Sequence, residues 1–205
     1  MNKLFAFAIA ALLSFAVGAQ EAPDVLVKRV TSEVLEIVRT DKDLQNGNTK
    51  RAIELVDQKV LPHFNFARMT ALAVGKDWRA ANPDQQQKLT AEFKTLLVRT
   101  YSNALTSYKN QTVRYKNFKM NPGDTDVVVA TEILQPGSQP VRLEYSLEKQ
   151  DAGWKVYDVV VGGMSLVTNY RDQFAQEVRA GGIDGLVKAI AAKNRGLEAG
   201  KAEKK

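Results

Sequence analysis

The chain predicts an α+β fold in which helices gather on one face of a curved, antiparallel, four-stranded sheet, and three observations carry that prediction. Apolar residues recur at three- and four-residue spacing up to about residue 108, and they switch to strict alternation between residues 112 and 161. Turn-forming clusters (Asn121-Pro122-Gly123, Pro136-Gly137, Asp151-Ala152-Gly153) cut the alternating part into four short runs. After Gly162-Gly163 the helical spacing returns. Strands joined by such short turns form an antiparallel meander, and helices set apart from the strands in sequence pack on one side of it. No internal repeat is visible.

The elements follow in order. Residues 1–19 read as a secretory leader: Lys3 supplies the positive start, residues 4–17 are almost uninterruptedly apolar, and Val17-Gly18-Ala19 offers small residues for cleavage after Ala19. The run is shorter than the ~20 apolar residues of a bilayer span, and no charged stop-transfer cluster follows it. Export, and with it a periplasmic address, is therefore expected. From residue 24 to 38, Val27, Val30, Val34, Leu35 and Val38 make one apolar stripe between charged neighbours, the mark of a helix lying on a core. A second such helix runs through Ile53, Leu55, Val56 and Val60 until Pro62 interrupts it, and a short third piece carries Phe64, Phe66, Met69, Leu72 and Ala73 towards Gly75.

Asn82-Pro83-Asp84-Gln85 is a strong helix start, with an Asn cap, proline at the first helical position and Gln three residues after the cap. The stripe from Leu89 through Phe93, Leu97, Tyr101, Leu105 and Tyr108 predicts one unbroken rod of about 39 Å. In the sheet, Val141, Leu143, Tyr145 and Leu147 alternate with Arg142, Glu144, Ser146 and Glu148, giving one wet and one buried face. The other strands span residues 112–118, 126–134 and 154–161. One more amphipathic helix should stop at Gly181-Gly182, and a last one, through Leu186, Val187 and Ile190, should precede a disordered basic tail over residues 193–205. Residues 20–192 are thus expected to form one domain.

Charge and composition exclude several function classes. The net charge is +6, and removal of Lys3 with the leader leaves +5, of which +3 belongs to the tail. The folded body is only mildly basic, and its cations form no stripe interleaved with aromatic residues, so nucleic acid is not an expected partner. With no cysteine and one histidine, the chain cannot assemble a cysteine–histidine zinc site, a thiol nucleophile or a disulfide. No phosphate loop, dinucleotide fingerprint, nucleophile elbow or calcium loop is present. His63, in Leu61-Pro62-His63-Phe64, reads as a half-buried turn residue. Asp158 interrupts the apolar run 156–161 and needs a partner, for which Arg171 or Arg99 is the expected counter-ion. An enzyme of ketosteroid-isomerase-like architecture, using Asp158 with a tyrosine, is one alternative, and a solid-core adaptor protein is another. Spacing alone leaves open whether the abundant apolar surface closes on itself or encloses a space.

Two stretches bear on that choice. Residues 153–159, Gly-Trp-Lys-Val-Tyr-Asp-Val, and residues 163–174, Gly-Met-Ser-Leu-Val-Thr-Asn-Tyr-Arg-Asp-Gln-Phe, closely resemble the signature of the MlaC family of periplasmic phospholipid-binding proteins, also called toluene-tolerance auxiliary proteins. The likeness extends to residues 61–66, 101–105 and 185–186 and covers nearly the whole mature chain, with Asn65 standing where an aspartate is expected and Gly162 where an acidic residue is expected. The resemblance implies an apolar pocket between sheet and helices that holds acyl tails, no catalytic residues, no metal and no cofactor. It implies a phospholipid ligand, exchanged between an inner-membrane ABC transporter complex and an outer-membrane lipoprotein/porin complex so that outer-membrane lipid asymmetry is maintained. A monomer is expected. The wall residues it points to here are Leu97, Tyr101, Leu105, Leu143, Tyr145, Leu147, Val159, Met164 and Val167. Exposing the roughly thirty methylenes of a diacyl lipid would cost on the order of 24 kcal/mol. Shielding them calls for a volume near the upper end of the ~300–1,000 Å³ common for ligand sites, and Gly162-Gly163 is the expected hinge of the gate.

Overall fold

The computed structural model describes residues 20–108 and 110–202. The expected leader, residues 1–19, lies outside the described residues, as does the very end of the tail. Three helices open the chain: α1 (Pro23–Thr40), the single turn α2 (Lys42–Gln45) and α3 (Thr49–Lys59), the last two started by side-chain caps from Asp41 and Asn48. A 3-10 turn over Leu61–His63 leads to α4 (Phe66–Val74), and a second, over Gly75–Ala80, leads to α5 (Pro83–Tyr101). The start of α5 is the reciprocal capping box expected of Asn82 and Gln85.

The rod expected to run on through Tyr108 ends at Tyr101. Ser102 is buried, and its hydroxyl turns back onto the Val98 carbonyl, one turn earlier. Back-bonding of this kind bends a helix. The chain restarts as the short α6 (Asn103–Thr106).

Five strands follow, β1 (Thr112–Tyr115), β2 (Asp126–Leu134), β3 (Val141–Gln150), β4 (Gly153–Val161) and β5 (Met164–Ser165), all antiparallel and in sequential order. The sheet therefore has one strand more than expected, because β5 is two residues long and carries no alternation to read. Gly162 and Gly163 both have positive φ, 57° and 88°, which a two-residue hairpin turn needs from its central pair. The Gly162 N–H donates to the Arg142 carbonyl at 2.9 Å. The expected hinge is instead a pinned turn between β4 and β5.

One sheet face, bearing Val129, Thr131, Tyr145, Leu147, Val156 and Val159, turns towards α1, and the other bears Val128, Arg142, Glu144 and the Glu132 carboxylate with its Arg114 and Lys116 partners. A bulge opposite Ser146 seats Tyr157 and Asp158 against one residue of β3 and shifts the register of β4. The free part of the β4 edge is covered by Phe64, bridged to Val156, with the Asn65 N–H donating to the Val156 carbonyl at 2.8 Å.

Side chains tie the same corner together. Asn65 caps α4 through its oxygen and donates its amide to Glu148. Arg68 donates to Glu148 and to Asp126 and lies 3.5 Å over the Tyr157 ring. Burial alone would raise the Glu148 carboxyl, but hydrogen bonds from Asn65, Arg68 and Gln150 outweigh it and hold the group below its ordinary value. Here an amide does what an ionised aspartate could not, since it gives a hydrogen bond to a carboxylate.

The chain ends in α7 (Arg171–Ala202), which is two rods joined at Gly182, where φ is 65°, close to the expected break. The second rod does not stop at residue 192. Asn194 is buried, its side-chain amide N–H donating to Glu92 and its main-chain carbonyl accepting from Arg99, and Leu197 packs on the core, so the first part of the expected disordered tail is docked helix. No helix among the described residues is long and apolar enough to cross a membrane.

Candidate functional site

Three apolar clusters make up the interior. The first joins α4, α5 and α7 around Phe93, Tyr170 and Phe174; the second joins α1 to the sheet; the third joins the end of α1 to α2 and α3. Where the three come together the side chains do not close the space. Two apolar hollows, each partly open, remain among the described residues here, of 320 Å³ and 230 Å³.

The larger lies between the C-terminal half of α5 (Leu97, Val98, Tyr101), the α3–α4 connection (Val60, Leu61, Phe64, Phe66) and the sheet at Leu143 and Val159. The smaller lies between the apolar stripe of α1 (Leu26, Val27, Val30, Val34) and the sheet at Val113, Thr131, Ile133, Tyr145 and Val156. Val60, Phe64 and Leu105 wall both hollows and form the partition between them. Together they amount to about 550 Å³, mid-range for ligand sites rather than at the expected upper end. Two further recesses have polar or cationic rims, one between Trp78, Gln86, Thr90 and Lys94 that also touches Phe64 and Phe66, and one between Lys76, Arg79 and Arg171.

Neither hollow has an Asp, Glu, Lys or Arg on its wall. The titratable wall groups are biased towards neutrality. Burial, then the nearby Arg29 and Lys155, lowers His63; burial pushes the Tyr101 phenol up to about 12; burial likewise raises Tyr145. The space is therefore lined by uncharged groups at neutral pH, as hydrocarbon requires.

Six of the nine expected wall residues are on these walls: Leu97, Tyr101, Leu143 and Val159 in the larger hollow, Tyr145 in the smaller, and Leu105 in both. Three are elsewhere. Leu147, beyond the bulge, is enclosed in the second cluster, and Val167 is enclosed in the first, each 0 % exposed. Met164, just past the pinned turn, is 56 % exposed. The α1 stripe and Phe64 were readable as buried but not as wall, because periodicity reports the face and not what lies opposite it.

Asp158 is on neither wall. Its carboxylate accepts from the Ser165 hydroxyl, 2.8 Å from each oxygen, and from the Val159 N–H, so it pins the β4–β5 turn. The expected counter-ions are engaged elsewhere, Arg171 with the Leu72 carbonyl and Arg99 with Asn194 and Glu198. An isomerase-like reading is left without a carboxylate where a substrate would sit.

A family match bears on the remaining alternatives. The family described as MlaC protein matches residues 28–192, which include every wall residue of both hollows except Leu26 and Val27. The chain belongs to the MlaC family. It is 28% identical over 177 residues to the toluene tolerance protein ttg2D of Pseudomonas putida, covering 86% of this chain and 81% of that protein. It is 25% identical over 174 residues to the intermembrane phospholipid transport system binding protein MlaC of Haemophilus influenzae, covering 82% and 80%. A phospholipid-binding protein from Ralstonia solanacearum, solved in complex with a phospholipid, superimposes with a TM-score of 0.81 at 41% identity, over 87% of this chain and 99% of that one. These MlaC-type relatives are named for lipid binding, transport or tolerance and not for catalysis.

Proposed function

We propose that this chain is a phospholipid carrier that houses acyl tails in the two hollows between its sheet and its helices and shuttles the lipid between membrane-bound components of an Mla system. The observation that carries the reading is the pair of uncharged apolar hollows between sheet and helices in a chain whose relative at 41% identity was solved with a phospholipid. A solid-core adaptor has no need of such a space. The leader-like residues 1–19 support a periplasmic site of action. We expect the protein to work as a monomer, receiving and delivering lipid at an inner-membrane ABC transporter complex and an outer-membrane lipoprotein/porin complex, with outer-membrane lipid asymmetry as the outcome.

The magnitudes shape the mechanism. Shielding on the order of 24 kcal/mol of hydrocarbon makes spontaneous release slow, so handover takes place while the carrier is docked on a partner that offers a continuous apolar path. A diacyl cargo also asks for more room than the hollows provide, so the partition side chains Val60, Phe64 and Leu105, none of them fully buried, have to swing aside. The test is organic extraction and mass spectrometry of the purified mature protein. We expect phospholipid at near-stoichiometric amounts. Folded protein that carries none, and takes none up from vesicles, would sink the carrier reading.

A further inference from the structure

The smaller hollow has one feature that hydrocarbon does not explain. Thr131, in the middle of β2, lies on its wall at 1 % exposure, and its hydroxyl oxygen has no hydrogen-bond partner. A buried hydroxyl without a partner carries its desolvation penalty uncompensated, and valine would fill the same shape without it. Two more hydroxyls converge on the place from other elements. Tyr145 is on the neighbouring strand, two register pairs along from Thr131 and so on the same sheet face, and Thr31 is on α1 across the hollow. The Tyr145 phenol lies near both threonine hydroxyls without hydrogen-bonding Thr131, and its burial keeps it protonated and able to donate. Around these three the wall is almost wholly Val, Leu, Ile and Phe.

We propose that the Thr31, Thr131 and Tyr145 hydroxyls form a hydrogen-bonding station for an oxygen atom embedded in the hydrocarbon of the cargo, so that the smaller hollow selects oxygen-bearing acyl lipid over plain hydrocarbon. The proposal rests on the carrier reading and adds a specificity element to it. An ester carbonyl and a hydroxyl on an acyl chain share the required chemistry, since each accepts from Tyr145 or a threonine, and the hydroxyl can also donate to Thr131.

The experiment is competition binding on mature protein stripped of lipid by detergent exchange, with a fluorescent acyl reporter. The competitors are a diester phospholipid, its diether analogue with the same chains and head group, and the diether carrying a mid-chain hydroxyl. Wild type is compared with Thr131→Val and Tyr145→Phe, and each variant's melting temperature is recorded. Wild type should favour one oxygen-bearing lipid over the plain diether by about three- to tenfold, the worth of one net hydrogen bond. Preference for the diester identifies the ester carbonyl, and preference for the hydroxylated diether identifies the chain hydroxyl. Both variants should lose the preference, with the three lipids binding each variant within about twofold of one another, and Thr131→Val should be at least as heat-stable as wild type. Equal affinity of wild type for all three lipids overturns the station. So does a preference that survives both variants, or a Thr131→Val protein that is less stable yet equally selective. Failure of wild type to bind any of the lipids instead overturns the carrier reading, and the station with it.

Discussion

Successive turns of α5 show how the same kind of apolar stripe can be filled or left hollow. Through its middle, Leu89, Phe93 and Leu96 meet the rings of α7 and its approach: Phe93 stands edge-on to Tyr170 and to Phe174, each at 5.3 Å between centroids, and those two rings lie 5.4 Å apart. At its C-terminal half, Leu97, Val98 and Tyr101 face Leu143 and Val159 across open space. Interlocking rings close a gap between layers that branched aliphatic side chains on a curved sheet do not reach across. Stability and function should therefore separate along one helix.

Two substitutions press on that contrast. Phe93→Ala should destabilise the protein by about 3–5 kcal/mol, because a fully buried ring leaves a cavity that its neighbours cannot fill, while lipid bound per folded molecule stays as in wild type. Urea unfolding with mass spectrometry of extracted lipid checks both halves of the statement. Leu105→Glu should do the reverse. Leu105 is half-buried and walls both hollows, so a carboxylate there puts a charge against hydrocarbon while remaining able to reach water. Bound lipid should fall by at least about tenfold, with a loss of stability below ~1.5 kcal/mol. Parallel losses of lipid and of folded protein would mean that Leu105 is ordinary core.

How far the residues foretold this is itself a matter of range. The alternation of Val141 to Leu147 gave β3 and its buried face, and Asn82 to Gln85 gave the start of α5, because both signals are local. The end of α5 was not legible, since Ser102 turns on a side-chain bond that the heptad-like stripe through Leu105 hides. The docking of residues 193–199 was masked by their charge, although Ile190, Asn194 and Leu197 keep helical spacing. In the site, Leu143 and Leu147 have the same parity on the same strand, yet one walls a hollow and the other is sealed in a cluster. What separates them is the bulge at Tyr157-Asp158 and the helices opposite, which no period encodes. Thr31 and Thr131 stood unremarked because a lone threonine on an apolar face reads as a β-branched filler.

The smallest expected effect concerns charge on the wall. His63 is the chain's one histidine and borders the smaller hollow, and burial, with Arg29 and Lys155 nearby, lowers it from its ordinary value of 6.5, Glu21 and Glu33 opposing. The folded state thus binds the proton less readily than the unfolded chain. The resulting stability is fully present above about pH 6.5 and is lost as pH falls through the lowered folded value. His63 is partly solvated, so the imidazolium is screened, and lipid affinity should drop by no more than about twofold between pH 7 and 5. His63→Phe should flatten that slope in both lipid affinity and urea midpoint, leaving only the loss below the ordinary carboxylate range that comes from groups such as Glu148. A slope unchanged in His63→Phe would place the titrating group outside the hollow, and the neutrality of its wall would then owe nothing to this side chain.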